Sequence, residues 1–127
     1  MKNSILILFG KWLSKLVQFF NLGSGSTWPG HIALKFNPHF ISELLKNSNL
    51  KIILIAGTNG KTTTAKLLQT ALVEVDKKVI QNEAGANLIN GVASTLLLKS
   101  NWLGQLPYDF AIFEVDENAL AQVIKTT

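Results

Sequence analysis

Eight consecutive residues, Ala56-Gly57-Thr58-Asn59-Gly60-Lys61-Thr62-Thr63, set two glycines, a lysine and several hydroxyls between an apolar run and a helical one. That combination suits phosphate. A turn from strand into helix aims backbone N–H groups and a helix N-terminus at one point, which is an anion site by construction. Gly57 and Gly60 let the backbone turn tightly and approach a ligand with no Cβ in the way. Lys61 adds a mobile positive charge for β- and γ-phosphates, and Thr62 adds a hydroxyl for Mg2+. The widespread pattern G-x-x-x-x-G-K-[ST] would need glycine at position 55, where this chain has Ile55. The match is therefore to G-K-T with a shorter glycine spacing. An ordinary glycine turn before a helix is the plainer reading; strand, glycines, lysine and hydroxyl in register weigh against it.

A second group follows another apolar run. Phe110-Ala111-Ile112-Phe113 delivers Glu114, Asp116 and Glu117. Ligands of α/β sheets bind beyond the carboxyl ends of strands, so a carboxylate there can hold Mg2+ directly or through water. Glu114, directly after the run, is the metal candidate. The alternative is that these acids start the next helix, where negative charge is favoured; Asp116 reads as its cap. A third candidate is the stretch from Glu83 to Gly91, in which Gly85 and Asn87 precede a helix. Asn87 either contacts substrate or metal-bound water, or caps the helix. His31 and His39 have no second ligand-type residue at metal spacing and read as surface or packing residues.

The elements that must position these groups alternate from residue 51 onward. Strands are expected at 51–56, 78–81 and 110–115, and helices at 63–75, 88–98 and 117–124. Ala65, Leu68, Ala71, Leu72 and Val75 should form one face of the first of these helices. Such alternation means an α/β fold with a parallel sheet and crossover helices. Residues 1–50 read differently. Ile5, Leu8, Phe9, Trp12, Leu16, Val17 and Phe20 recur at helical spacing over 4–20, with Lys11, Ser14, Lys15 and Gln18 opposite. The first expectation is a helix packing that stripe on its own domain; the second is a helix lying on a membrane surface. Residues 21–30 are a turn-rich break, residues 32–36 a short strand or extended segment, and Asn37-Pro38 a cap and first position for a short helix through Phe40, Ile41, Leu44 and Leu45.

Composition narrows the classes. Hydrophobic residues make up 47% and charged ones 16%, so a core forms and disorder is excluded as the main state. There is no cysteine, hence no disulfide and no thiolate metal site in these residues. Residues 1–50 hold five lysines against the single acid Glu43, while 51–127 hold seven of each, so the net +4 sits in the first fifty. All twelve basic residues are lysine, which removes the bidentate arginine fork. No basic patch interleaved with aromatics occurs after residue 50, and nucleic acid is not expected as a partner. The apolar run near the N-terminus is too short and too interrupted for a secretory signal or a spanning helix.

These motifs, taken together and in order, resemble the Mur ligase family. GTNGKTTT after a strand is similar to that family's ATP loop, and NEAGANLINGVAS, FEVDENAL and GSGSTWPGHIALKFNP resemble the Mur-ligase-like subunit of lipid II isoglutaminyl synthase. The resemblance implies a P-loop-type sheet: an incomplete Mur ligase central ATP-binding domain over 51–127, preceded by a helical and extended segment over 1–50. It implies ATP and Mg2+ as cofactors, with Gly57, Thr58, Asn59, Gly60, Lys61, Thr62 and Thr63 on the triphosphate. Lys61 and Glu114 would be catalytic, Thr62 and Glu114 would hold Mg2+, and Asn87 would lie near the reacting end. The implied reaction is ATP-dependent activation of the D-glutamate α-carboxylate of lipid II as an acyl phosphate, then amidation with ammonia from a glutaminase subunit. The implied location is cytoplasmic, at the inner face of the membrane. The family continues into a four-cysteine zinc ribbon and a C-terminal domain, so this chain reads as its front part, with zinc expected only downstream and little activity alone. The alternatives are another Mur ligase adding an amino acid to the stem peptide, a more distant folylpolyglutamate synthase, or a nucleotide-binding remnant. A kinase of another type would be expected to show an arginine or a lid.

Overall fold

A computed structural model describes residues 2–19, 27–83 and 85–127 of the chain. It is a mixed α/β structure with six helices and one three-stranded sheet among those residues. In chain order these are α1 (Lys2–Phe19), α2 (Trp28–Phe36), α3 (Phe40–Lys46), β1 (Lys51–Ala56), α4 (Lys61–Glu74), β2 (Val79–Gln81), α5 (Ile89–Lys99), β3 (Phe110–Val115) and α6 (Glu117–Thr126). The strands are parallel in the order β1-β3-β2. The expected strands and the helices after residue 51 are present, with bounds shifted by no more than two residues, the margin within which helix ends ordinarily fray.

Strand parity divides the sheet into two faces. Ala111, Phe113 and Val115 join Ile80, Val92, Leu96, Leu97 and Val123 in the main core, with α5 and α6. Ile112 and Ala65 are fully buried outside that cluster, on the face that α4 covers. Glu114 shares the parity of Ile112. It therefore points to α4's side, at the carboxyl end of the middle strand. Lys51 pairs with Phe110 and Ala56 with Val115, so the ends of β1 and β3 are level.

The first fifty residues pack on α5, and here three expectations are corrected. Residues 32–36 are helical, not extended. Pro29 sits in the first turn of α2, where its fixed φ suits a helix start, and Pro29, Gly30 and Ala33 form the buried face. A Cβ on Gly30 would stand 2.1 Å from the Asn90 carbonyl oxygen. Only glycine lets α2 come this close to α5, and the Gly30 N–H donates to Ser94 Oγ at 2.7 Å. Pro38 is not the first helical residue either. Asn37 ends α2, its Oδ1 accepts from the His39 N–H at 3.0 Å, and α3 begins at Phe40.

The third correction concerns α1. Its expected packing stripe faces outward: Ile5, Leu8, Phe9, Trp12 and Leu16 are all exposed. The buried side is Ile7, Gly10 and Ser14, which meets α2 and α5. Lys11, placed opposite the stripe, is partly buried and donates to the Ser100 carbonyl, and burial lowers its pKa. At its other end α1 is clipped by Asn3, whose Nδ2 donates to Glu43 at 2.7 Å, joined by Asn37 Nδ2 at 2.9 Å. These two bonds, Asn3 first, hold the Glu43 carboxyl below the ordinary range. The turn at 21–26, Phe20 and the Gln18 side chain lie outside the described residues.

Candidate functional site

β1 ends at Ala56, and four residues lead into α4. Gly57 and Gly60 have φ of 153° and 77°, both at positive values that a side chain rarely adopts. The two glycines thus allow the chain to reverse within one loop. Gly60 immediately precedes α4, and the Thr64 N–H closes the first turn on its carbonyl at 2.9 Å. The first helical residues are then Lys61, Thr62 and Thr63. Helix N-termini carry unpaired N–H groups and partial positive charge. Thr58, Asn59, Gly60 and Thr63 are exposed, while Lys61 and Thr62 are half-buried. The Lys61 ammonium folds back to donate to the Gly57 carbonyl, across its own loop.

Thr62 points toward the sheet. Its Oγ1 donates to Glu114 Oε2 at 2.7 Å, joining residues 52 apart in sequence. Glu114 is only 4% exposed. A carboxylate so enclosed needs donors, and its second oxygen, Oε1, accepts from Gln81 Nε2 at 3.1 Å. The three side chains come from α4, β2 and β3, the elements whose ends meet at this edge. Hydroxyl and carboxylate oxygens are hard donors of the kind Mg2+ takes together with phosphates and water. Among the described residues no group of three or more His, Cys, Asp or Glu gathers around a point, and Glu114 stands here with a hydroxyl and an amide for neighbours.

Asn82, directly after β2, ties the edge together. It is 3% exposed. Its Oδ1 accepts from the Glu114 N–H at 2.9 Å, and its Nδ2 donates to the Glu114 carbonyl at 2.9 Å and to the Ala86 carbonyl at 2.7 Å. One side chain thus holds both backbone groups of Glu114 and the loop residues about Ala86. Asn87 lies in that loop, half-buried, and its carbonyl accepts from the Asp116 N–H at 2.9 Å. Asp116 caps α6, its Oδ1 accepting from the Asn118 N–H at 2.9 Å, and Glu117 is exposed in the first turn. Gly85 is exposed, and Ala84 is outside the described residues.

Gln81 and Asn82 were not singled out by sequence. Strand parity carries a signal for the first. Ile80 faces the main core, so Gln81 must face the other side, and its register partner is Ile112, two residues before Glu114. Nothing comparable marks Asn82, a polar residue at a strand end. His31 and His39 are exposed, and His31 Nδ1 lies 3.4 Å from Asn90 Nδ2, away from this edge.

No family model matches the chain. It is similar to curated proteins named lipid II isoglutaminyl synthase (glutamine-hydrolyzing) subunit MurT. Identity to the Streptococcus pneumoniae (strain ATCC BAA-255 / R6) protein is 42% over 103 residues, 80% of this chain and 22% of that one. Identity to the Staphylococcus aureus (strain COL) protein is 33% over 101 residues, again 80% of this chain and 22% of the relative. The chain therefore matches less than a quarter of the length of these relatives. Over four fifths of its own length, the chain is similar to the MurT subunits of lipid II isoglutaminyl synthase.

Proposed function

We propose that residues 57–63 form a P-loop that holds the phosphates of ATP, within the ATP-binding part of a Mur-ligase-type amide synthase. In this reading residues 51–127 are part of its central domain and residues 1–50 a separate leading segment. Lys61 would swing from the Gly57 carbonyl to the terminal phosphates. Thr62 and Glu114 would hold Mg2+, which when bound neutralises charge on the phosphates during transfer. Thr58, Asn59 and Thr63 would complete the phosphate cradle, with Asn87 toward the reacting end.

The observation that carries the reading is the Thr62–Glu114 bond of 2.7 Å. It brings the hydroxyl after G-K to the one buried carboxylate at the carboxyl edge of the sheet. Neither a helix cap nor a glycine turn accounts for that pairing. The likeness to MurT subunits of lipid II isoglutaminyl synthase supports the substrate class. The γ-phosphoryl group would pass to the D-glutamate α-carboxylate of lipid II and release ADP. Ammonia from a glutaminase partner would then displace phosphate and form the amide. The work would take place in the cytoplasm, at the inner membrane face, as a step of peptidoglycan synthesis.

Lys61→Ala in the full chain tests the loop by calorimetric titration with Mg·ATP. The expected result is a loss of affinity of at least about tenfold, one charge-assisted contact to phosphate. Equal affinity in both chains would remove the loop from the site.

A further inference from the structure

The outer face of α1 has no counterpart in the nucleotide reading. Ile5 is 65% exposed, Leu8 56%, Phe9 47%, Trp12 58% and Leu16 38%. They form one stripe along an 18-residue helix, which spans roughly 27 Å. The Phe9 and Trp12 rings lie together on it, 6.1 Å between centroids. The helix is already docked to α2 and α5 by Ile7, Gly10 and Ser14. The stripe is therefore surplus to the contacts that hold α1 in place.

Charge favours one class of occupant. α1 contains no Asp or Glu, and its charged residues are Lys2, Lys11 and Lys15. Lys15 is exposed and follows Leu8 and Trp12 by seven and three positions, on the border of the stripe. The first fifty residues carry five lysines against Glu43, an exposed acid whose carboxylate accepts from Asn3 and Asn37 near the start of α1. An apolar stripe with aromatic rings, bordered by Lys15 on a helix that has no acid of its own, matches a helix in the plane of an anionic bilayer surface. The helix lies on the surface and does not cross it, since no described helix is long and apolar enough to span.

We infer that α1 docks this protein on anionic lipid through Ile5, Leu8, Phe9, Trp12 and Leu16, with Lys15 toward the headgroups. Lys11 takes no part, because its ammonium is held by the Ser100 carbonyl. This inference does not depend on nucleotide binding.

The test is co-sedimentation of the full chain with vesicles of phosphatidylcholine alone or with 30 mol% phosphatidylglycerol (roughly the anionic content that draws basic helices). Binding to the anionic vesicles is expected, weakening with salt. Leu8→Gln with Trp12→Gln should lower it at least about tenfold, because the stripe supplies the buried apolar area. Lys15→Gln should lower it about fivefold on anionic vesicles only. Circular dichroism and unfolding midpoints should match the parent, since both substituted positions of the stripe are exposed. Three results would overturn the inference. One is no binding to anionic vesicles. Another is binding that the double variant leaves intact. The third is concentration-dependent self-association, abolished by the double variant, without vesicle binding, which makes the face a contact between copies.

Discussion

Two regions of this small protein invert the usual distribution of polarity. At the carboxyl edge of the sheet, polar side chains are buried and bonded: Glu114 takes donors from Thr62 and Gln81, and Asn82 holds both its backbone groups. On α1, apolar side chains stand in the open. Burying a carboxylate costs free energy unless donors offset it, and exposing a large apolar stripe forgoes burial that a core would gain. Each departure from the ordinary rule marks a place where something other than folding stability sets the residue types. The two differ in how they are held. The edge is fixed by a hydrogen-bond network drawn from β2, β3 and the start of α4. α1 is fixed by its small-residue side, and its apolar side is left over.

Substitutions at adjacent residues break or sharpen this contrast most strongly on α1. Ile7 is fully buried and its neighbour Leu8 is 56% exposed. Ile7→Ala should cost about 3 kcal/mol, whereas Leu8→Ala should stay within about 0.5 kcal/mol, both read from urea unfolding. Comparable losses for the two would mean that the outer face is packed after all.

At the sheet edge, Asn82→Ala removes the partner of the Glu114 N–H and of two carbonyls. A loss of about 2 kcal/mol is expected, from buried groups left without partners. A neutral substitution would show that the network does not organise the edge. Thr62→Val keeps the shape and deletes one hydroxyl. Its expected stability cost is smaller, about 1 kcal/mol, so any larger effect on nucleotide binding belongs to the site and not to the fold.

The smallest effect concerns pH. Glu43 has its pKa lowered by Asn3 and Asn37. A carboxyl depressed in the fold favours the folded state above its unfolded pKa, and that contribution fades as pH falls through the folded value. Acid titration should therefore loosen the Asn3 end of α1 below the ordinary carboxylate range, with the amide signal of Asn3 shifting in step with Glu43. Asn3→Ala should move the Glu43 titration upward; an unmoved titration would contradict the assigned cause.

Much of the sheet region was legible because its signals are local. Strand β3 contains the apolar run at 110–113 and ends two residues after it, and the glycines and G-K-T mark the turn into α4 to within two residues. The first fifty residues were harder. The segment 32–36 is too short for alternation to be told from a helical face, and its helix depends on a contact that only tertiary structure supplies, Gly30 against the backbone of α5. Periodicity correctly found an amphipathic α1 yet gave its packing side backwards. The docking side consists of one isoleucine with Gly10 and Ser14, and a Cβ on Gly10 would come within 2.8 Å of Leu97. Close approach selects small residues there, which a search for the most apolar face passes over. Asn82 escaped notice for a related reason: its three bonds reach residues 4 and 32 positions away, and no spacing within the sequence encodes them.

The most direct test of the nucleotide site is calorimetric titration of ATP into the full chain and into Thr62→Val, each with and without Mg2+. The account predicts one site whose affinity rises with Mg2+, and a Thr62→Val chain that loses most of this gain, at least about tenfold in affinity, while binding without the metal hardly changes. Binding that is indifferent to Mg2+, or a Thr62→Val chain that responds to it as the parent does, would contradict the assignment of Thr62 and Glu114.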